Sequence, residues 1–233
     1  MRKNKWKDIR TCMKLIKYGM SAKQSVGTMI LFIVIGVTFE VMWVLGFYEG
    51  VFRNTTLDFG ALFLYSAAMY PAQILMTLDI SGMVQASPFK RTIQNSAASF
   101  ACLCGNLAVF AIVLLIRLAG AHILPERAAV IWDTLPAVGV MGLALSVMGA
   151  LLYKFYIVSI IALAVIFGVY GGFISISRMG ASNGSAFPLP ASIVLCIVMI
   201  LLGNGLQYLL TGLFYKRPFS KGAFGNAAGK KFV

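Results

Sequence analysis

Very few residues in this sequence of 233 residues could carry out acid–base, nucleophilic or metal chemistry, and those few lie far apart. The single histidine, His122, belongs to no HExxH pattern, and no GxSxG pattern occurs. Glu40 and Asp79 are separated by about 39 positions, so no pair of acidic groups is expected at one depth. The sequence therefore predicts no catalytic, cofactor-binding or metal-binding residue.

The elements that must position these residues are long apolar runs. The sequence is 60% hydrophobic and 12% charged, and its mean hydropathy is +0.87, which indicates an integral membrane protein. A helix of about 20 apolar residues crosses roughly 30 Å of hydrocarbon. Six such runs predict an all-α fold, with six transmembrane helices at 26–47, 60–80, 96–118, 132–152, 155–176 and 190–214 within a membrane domain of 25–215. Only Tyr153, Lys154 and Phe155 separate the fourth and fifth runs, which predicts a hairpin.

Basic residues are concentrated on one predicted side of the membrane. Sixteen Lys and Arg residues fall in the N-terminal segment, the second and fourth loops and the basic tail 216–233, against four on the other side. By the positive-inside bias both termini are expected to be cytoplasmic. The net charge of +13 also favours anionic lipid as a partner, by about 1 kcal/mol for each basic residue near the surface. No nucleic-acid motif accompanies it.

Glu40 is the acidic residue placed deepest in an apolar run. A charged group inside a bilayer is unfavourable by several kcal/mol, so Glu40 is expected to face the bundle or a cavity. Two interpretations stay open: Glu40 pairs with a neighbouring helix, or it belongs to a substrate path or gate. Asp79, Arg117 and Asp133 lie near the ends of their runs and are interpreted as interfacial residues.

The second predicted span is unusually polar. Pro71 lies near its middle and favours a kink, because proline lacks the N–H group and clashes with the preceding turn. Tyr70 and Gln73 are next to it. A bent, polar helix is typical of an interface or a pathway, so Glu40, Tyr70, Pro71 and Gln73 form the predicted pathway or gating set.

Two patterns predict helices on the basic side. In segment 1–24 the apolar residues recur at 3, 4, 3, 4 spacing and Lys and Arg recur on another face, which predicts an amphipathic interfacial helix. Its apolar face includes Trp6, Ile9, Met13 and Ile16. In segment 86–95, Ser87 can cap a helix that has Pro88 at its first position. Phe89 and Ile93 would share one face, with Lys90, Arg91 and Gln94 exposed elsewhere. The alternative is an ordinary basic loop with a capped extension of the third span.

Small residues predict close helix packing. Gly142, Ser146 and Ala150 form one stripe, Gly168 and Gly172 lie in the fifth span, and Gly203, Asn204, Gly205 and Gln207 lie in the sixth. The four cysteines are interpreted as small apolar packing residues, since they form no CxxC pattern. The Gly/Ser-rich loop 177–190 ends in a proline-bounded apolar step and is a candidate re-entrant element.

In this arrangement the chain resembles a short, six-helix permease subunit of the type-2 ABC exporters. The resemblance covers nearly the whole chain and includes the N-terminal helix, six spans with both ends inside and a coupling helix near 86–95. Family members often carry a small residue or proline followed by basic residues in that loop, as in Ser87-Pro88-Phe89-Lys90-Arg91. The acidic residue that often follows is absent, and Thr92, Ile93 and Gln94 stand there.

The resemblance implies a non-enzymatic transport subunit in a bacterial cell membrane. No G-x-x-x-x-G-K-[ST] occurs in the sequence, so ATP and Mg²⁺ would be bound by a separate ABC ATPase subunit. That subunit would dock on Ser87, Pro88, Phe89, Lys90, Arg91 and Ile93, and a second permease copy or a related chain would complete a dimer through the first, second and fifth spans. The expected substrate is hydrophobic or amphipathic, such as a peptide, an antimicrobial, a drug or a lipid.

Three other classes remain as alternatives. A membrane enzyme would need a cluster of reactive groups at one depth, which the sequence does not predict. An ion-coupled carrier usually shows repeated halves and ionisable residues at mid-membrane, and only Glu40 fits that description. A non-transporting membrane scaffold would need neither feature.

Overall fold

The computed structural model describes residues 5–19, 23–47, 58–77, 87–152, 154–180 and 189–216. Within these ranges the chain is almost entirely helical and contains no strand. We number the helices α1 (Lys5–Gly19), α2 (Lys23–Val44), α3 (Phe59–Thr77), α4 (Ala98–Ile123), α5 (Ala128–Asp133), α6 (Leu135–Leu152), α7 (Tyr156–Gly180) and α8 (Leu189–Phe214). A π-helical turn, Thr92–Ala97, leads into α4, and a 3₁₀ turn, Pro125–Arg127, leads into α5.

Five segments of the described chain are long and apolar enough to cross a bilayer. They are Val26–Val44, Phe59–Met76, Thr92–Ile123, Pro125–Leu152 and Leu189–Phe214. The fifth predicted span, 155–176, falls on α7, in which the apolar part with described side chains, Tyr156–Gly171, is shorter. The structure is therefore that of an all-α bundle with five candidate spans, and the six-span topology stays a prediction.

Helix α6 forms the centre of the bundle because it is apolar around its whole circumference. It packs most extensively against α8, and also against α7 and α3. The α6–α8 crossing is close: a Cβ on Gly139 would lie 2.7 Å from the Cα of Cys196, and one on Gly203 would lie 2.6 Å from the Cα of Leu143. The contact of α6 with α7 agrees with the predicted hairpin.

The small-residue predictions hold for α6 and for Gly203 of α8, but not for Gly205 of α8, where an added Cβ would meet no atom within 4 Å. Gly142 contacts the ring of Tyr65, and Ser146 and Ala150 are buried. A Cβ added to Gly168, in contrast, would meet no atom within 4 Å in the described part of the chain, so its predicted close packing stays a prediction. The most extensive contact of α7 is with α6.

Gly203 and Gly205 of α8 provide a matched test of this packing. We expect Gly203→Ala to destabilise the protein by about 1–3 kcal/mol, because the added methyl group meets backbone atoms that cannot move aside. Gly205→Ala adds the same methyl group in open space and should be neutral or slightly stabilising, since alanine favours helix. Thermal unfolding in detergent measures both, and equal unfolding temperatures would contradict the described crossing.

Polar side chains connect the helices inside the bundle. The Asn106 amide donates to Ser146 Oγ over 2.9 Å, which joins α4 to α6. The Asn204 amide donates to the Ser99 carbonyl over 3.1 Å, which joins α8 to α4. Asn204 therefore forms a hydrogen bond across the bundle.

The bundle has two ends, which we name after the short helices found there. The α1 end holds α1, Ser87–Arg91, Lys154 and the last turn of α8, and the α5 end holds the last turn of α2, the start of α3 and α5. At the α5 end, α2 stops in a Schellman motif: the Phe47 N–H bonds to the Met42 carbonyl, and Gly46 takes the left-handed conformation with φ of 90°. Arg127 Nη1 donates to the Val44 carbonyl over 2.5 Å, so a basic side chain satisfies one of the last carbonyl groups of α2.

Candidate functional site

A buried group of three charged side chains lies at the α5 end of the bundle. Arg117 of α4 is 1% exposed and Glu40 of α2 is 0% exposed. Arg117 Nε donates to Glu40 Oε1 over 2.6 Å, and Arg117 Nη2 donates to Asp58 Oδ2. We call Glu40, Asp58 and Arg117 the charge triad.

Asp58 serves two functions in this arrangement. It immediately precedes α3, and its Oδ1 accepts a hydrogen bond of 2.9 Å from the backbone N–H of Ala61, as an N-cap residue does. Its other carboxylate oxygen pairs with Arg117. The same side chain therefore caps α3 and attaches the start of α3 to α4.

The remaining contacts of Arg117 extend the site to further elements. Nη1 donates to Thr134 Oγ1 over 3.2 Å, at the junction between α5 and α6. The guanidinium carbon lies 4.8 Å from the centre of the Trp43 ring, which is a cation–π contact with α2. Arg117 thus links α2, α3, α4 and the α5–α6 junction at one depth.

The second oxygen of Glu40 lies against backbone. A Cβ on Gly60 would come within 2.7 Å of Glu40 Oε2 and 2.8 Å of the Glu40 backbone nitrogen, so α2 and α3 approach closely only because residue 60 is glycine. Among the described residues no donor lies within hydrogen-bonding distance of this Oε2 atom. The negative charge of the Glu40 carboxylate therefore depends on Arg117 for its compensation.

The charge balance of the triad defines what it can do chemically. Two carboxylates face one guanidinium, so the group carries one net negative charge when both acids are ionised. Burying ions is unfavourable unless each is paired and hydrogen-bonded, and removing one partner leaves the others uncompensated. The arrangement can hold the helices in one register.

The triad confirms part of the sequence interpretation and corrects another part. Glu40 faces the bundle, as expected, and it pairs with a neighbouring helix. The interpretation of Arg117 as an interfacial residue is wrong, because Arg117 lies on the face of α4 that packs on α2 and α3 and is fully buried. The predicted role of Glu40 in a path or gate stays a prediction, and Asp79 lies outside the described residues.

The other predicted pathway residues lie elsewhere. Tyr70, Pro71 and Gln73 are half-buried in α3, which continues without a break through Pro71. They follow Gly60, the neighbour of Glu40, by 10 to 13 residues, which is about 15–20 Å along a helix. The structure does not bring them together with Glu40.

At the α1 end, the segment that begins at Ser87 forms a capped helix start. Ser87 Oγ accepts a hydrogen bond of 3.2 Å from the Phe89 N–H, and the Ser87 carbonyl accepts one of 3.1 Å from the Lys90 N–H. Helix begins at Lys90 and passes through the π-helical turn into α4. The described part of segment 86–95 is therefore a turn followed by a helix that continues into the third span, and its role as a coupling helix stays a prediction.

This segment has an exposed part and a buried part. Pro88, Phe89 and Arg91 are exposed, whereas Ile93 and Gln94 are 3% and 5% exposed. The predicted exposure of Gln94 is wrong, because the π-helical turn has i→i+5 geometry and changes which side chains share a face. We call Pro88, Phe89, Lys90 and Arg91 the 88–91 surface.

Helix α1 packs on the π-helical turn and on α3. Cys12 and Ile16 are buried in the core, and Met13 packs against it. Trp6 is largely exposed, but its ring makes an edge-to-face contact with Phe100, with 5.2 Å between ring centres. Met13 and Ile16 of the predicted apolar face thus pack on the bundle, whereas the amphipathic character of the helix and its position at a membrane surface stay predictions.

Fold and site together define a helical membrane bundle with a buried ion-pair cluster at one end and an exposed basic segment at the other. The sequence matches no protein-family model, and no curated protein and no solved structure is similar to it at the level required for a match. The function must therefore be inferred from the residues themselves.

Proposed function

We propose that this chain is the membrane-spanning permease subunit of an ATP-driven exporter, working with a separate ABC ATPase subunit and with ATP and Mg²⁺ bound on that partner. The observation that carries the proposal is the 88–91 surface. It presents an exposed aromatic side chain, Phe89, beside two basic residues, and it continues directly into a long apolar helix. A partner that moves this surface would move α4.

The contacts of the π-helical turn support such a coupling role. Ile93 is buried in the core together with Ile16 of α1. Asn95 is hydrogen-bonded to Thr211 of α8 over 2.9 Å. A displacement at Phe89 would thus reach α1 and α8 as well as α4. Coupling of this kind requires a packed element with two arrangements, whose balance the nucleotide state of the partner would shift.

The uncovered helix faces fit a dimer in a lipid environment. Large apolar side chains are exposed along α2, α7 and α8, for example Val34, Ile161 and Leu209. Helices α2 and α7 correspond to the first and fifth predicted spans, which the family resemblance assigns to the dimer contact. A second permease copy or a related chain would cover part of these faces, and lipid would cover the rest.

The proposed location is the cell membrane, with the α1 end in the cytoplasm. Lys7, Arg10, Lys14, Lys90 and Lys154 all lie at that end, in agreement with the positive-inside bias. The substrate class we propose is hydrophobic or amphipathic, entering from the bilayer between the exposed helix faces.

The test is coexpression with an ABC ATPase from the same organism, followed by purification through a tag on this chain alone. We expect a stable complex that hydrolyses ATP when reconstituted in lipid. An ATPase that never copurifies, or a chain that transports when purified alone, would contradict the proposal.

The charge triad supports a second candidate, an ion-coupled carrier. Two buried carboxylates that share one guanidinium could exchange a proton during transport. In proteoliposomes that contain this chain alone, a pH gradient without ATP should then drive substrate flux. Flux that requires ATP and the ATPase would exclude this candidate.

A further inference from the structure

A polar cavity of about 210 Å³ lies at the α1 end, between α1, the π-helical turn and the last part of α8. Its lining carries two opposite charges, Asp8 from α1 and Arg91 from the start of the π-helical turn. The rest of the lining is Ile9 of α1, Thr92, Asn95 and Ser96 of the π-helical turn, and Tyr208 of α8. None of these residues was assigned a joint role from the sequence.

The cavity lies at the depth that lipid head groups occupy. The apolar segment of α4 begins at Thr92 and that of α8 ends at Phe214, so the cavity opens where two candidate spans leave the hydrocarbon. Trp6 and Tyr208 are 61% and 45% exposed beside it. Exposed Trp and Tyr at the ends of spans are typical of the membrane–water interface.

The donors in the cavity suit a phosphate group. Thr92, Asn95 and Ser96 share one side of the π-helical turn, and Asn95 is fixed by its hydrogen bond with Thr211. Arg91 is held at the opening, with its guanidinium carbon 5.6 Å from the centre of the Tyr215 ring. A guanidinium beside hydroxyl and amide groups forms charge-assisted hydrogen bonds with phosphate oxygens.

The Asp8 carboxylate favours one class of phosphate ligand over another. A carboxylate in the lining repels a second negative charge, which disfavours a purely anionic ligand. It favours a ligand that carries a primary ammonium close to its phosphate, because the ammonium can donate hydrogen bonds to the carboxylate. A quaternary ammonium has no N–H group and would lose that contact.

We infer that this cavity binds the head group of an aminophospholipid, a phosphate ester with a primary amine such as phosphoethanolamine. Its acyl chains extend along the exposed apolar face of α8, where Leu201 lies two turns before Tyr208. Soluble phosphoethanolamine carries the same head group as the lipid. Only the lipid has acyl chains, and these distinguish it from the soluble ligand. The inference concerns binding alone and does not depend on the proposed function.

The test is native mass spectrometry of the purified full-length chain in detergent with added phosphatidylethanolamine, phosphatidylcholine or phosphatidylglycerol. We expect phosphatidylethanolamine to bind best. Arg91→Gln should weaken its binding about tenfold, because a charge-assisted hydrogen bond is lost. Asp8→Asn should abolish the preference for phosphatidylethanolamine over phosphatidylglycerol.

Arg10→Gln is the matched control, since Arg10 is exposed on α1 and does not line the cavity. It removes one positive charge and should leave the preference unchanged. Tyr208→Phe removes only a hydroxyl group from the lining. It carries little risk to folding and is a second variant for the same binding measurement. Equal binding of the three lipids would overturn the inference. So would soluble phosphoethanolamine binding as tightly as the lipid, or a preference that Asp8→Asn leaves intact.

Discussion

Replacement of Arg117 by alanine is expected to destabilise the protein by about 3–5 kcal/mol. The substitution leaves the carboxylates of Glu40 and Asp58 buried beside each other without a positive partner, and removing one member of a buried ion pair has a cost of this size. It also leaves Thr134 without the donor from Arg117 Nη1. The measurement is the unfolding free energy or the unfolding temperature of the purified protein in detergent.

Variants of the same cluster separate the charge effect from the loss of packing. Glu40→Gln keeps an acceptor for Arg117, which is still paired with Asp58, so we expect a loss of only about 1–2 kcal/mol. The double variant Glu40→Leu, Arg117→Met removes both fully buried charges and should be more stable than Arg117→Ala alone. Arg10→Ala, at an exposed position, should change stability by less than about 0.5 kcal/mol. An Arg117→Ala protein as stable as the wild type would show that the triad does not hold the α5 end together.

The second large effect is expected at the opposite end of the bundle. The double variant Phe89→Asp, Arg91→Glu places two acidic groups on the 88–91 surface and removes its aromatic and cationic side chains. We expect it to abolish copurification of the ATPase and ATP-coupled transport, while the chain still folds, because both side chains are exposed. Copurification and ATP-dependent flux are the measurements.

Phe47→Asp is the matched control for this variant. Phe47 is also an exposed aromatic residue, but it lies at the α5 end, so its replacement should leave the ATPase complex intact. If the double variant still assembles and transports, the docking assignment is wrong. If Phe47→Asp disrupts the complex equally, the effect is not specific to the α1 end.

The all-α class and five of the spans were predictable from the sequence, since each is a long apolar run. The limit between the fourth and fifth runs rested on three residues, and α7 has a shorter described apolar part. The packing of α6 against α8 was predictable in part, because glycine in an apolar helix indicates close approach of another backbone, as Gly203 confirms. Gly168 shows the limit of that rule: a small residue permits a close neighbour, but the sequence does not say whether a neighbour is there.

The charge triad could not be predicted from local sequence patterns. Glu40 and Arg117 are 77 residues apart, and Asp58 and Arg117 are 59 apart, so the pairing depends on tertiary packing. A weaker signal existed: Glu40 and Arg117 have opposite charges and lie in the same half of two spans that were predicted to run in parallel. Charged groups inside a bilayer are unfavourable unless they are paired, so a pairing was conceivable, but Glu40 lies 7 residues and Arg117 one residue from the predicted ends of their spans, which placed them at different depths.

The start of α4 shows a different limit. The Ser87 hydroxyl accepts a hydrogen bond from the Phe89 N–H, as its residue type predicts, but the helix begins at Lys90 and not at Pro88. The predicted exposure of Gln94 in the following turn was wrong, because the faces of that turn were assigned with ordinary α-helical spacing. The π-helical turn and the packing of α1 over it bury Ile93 and Gln94 and leave Pro88, Phe89 and Arg91 at the surface.

The central claim is that an ATPase acts on this bundle from the cytoplasm through the 88–91 surface. The most direct test is labelling of a Phe89→Cys variant with a membrane-impermeant maleimide in vesicles of known orientation. The natural Cys12 at the same end should react slowly, because it is buried and because desolvation, together with the nearby Asp8, raises the pKa of its thiol. We predict labelling only in inside-out vesicles and protection when the ATPase is bound. Labelling from the outside of intact cells would contradict the account.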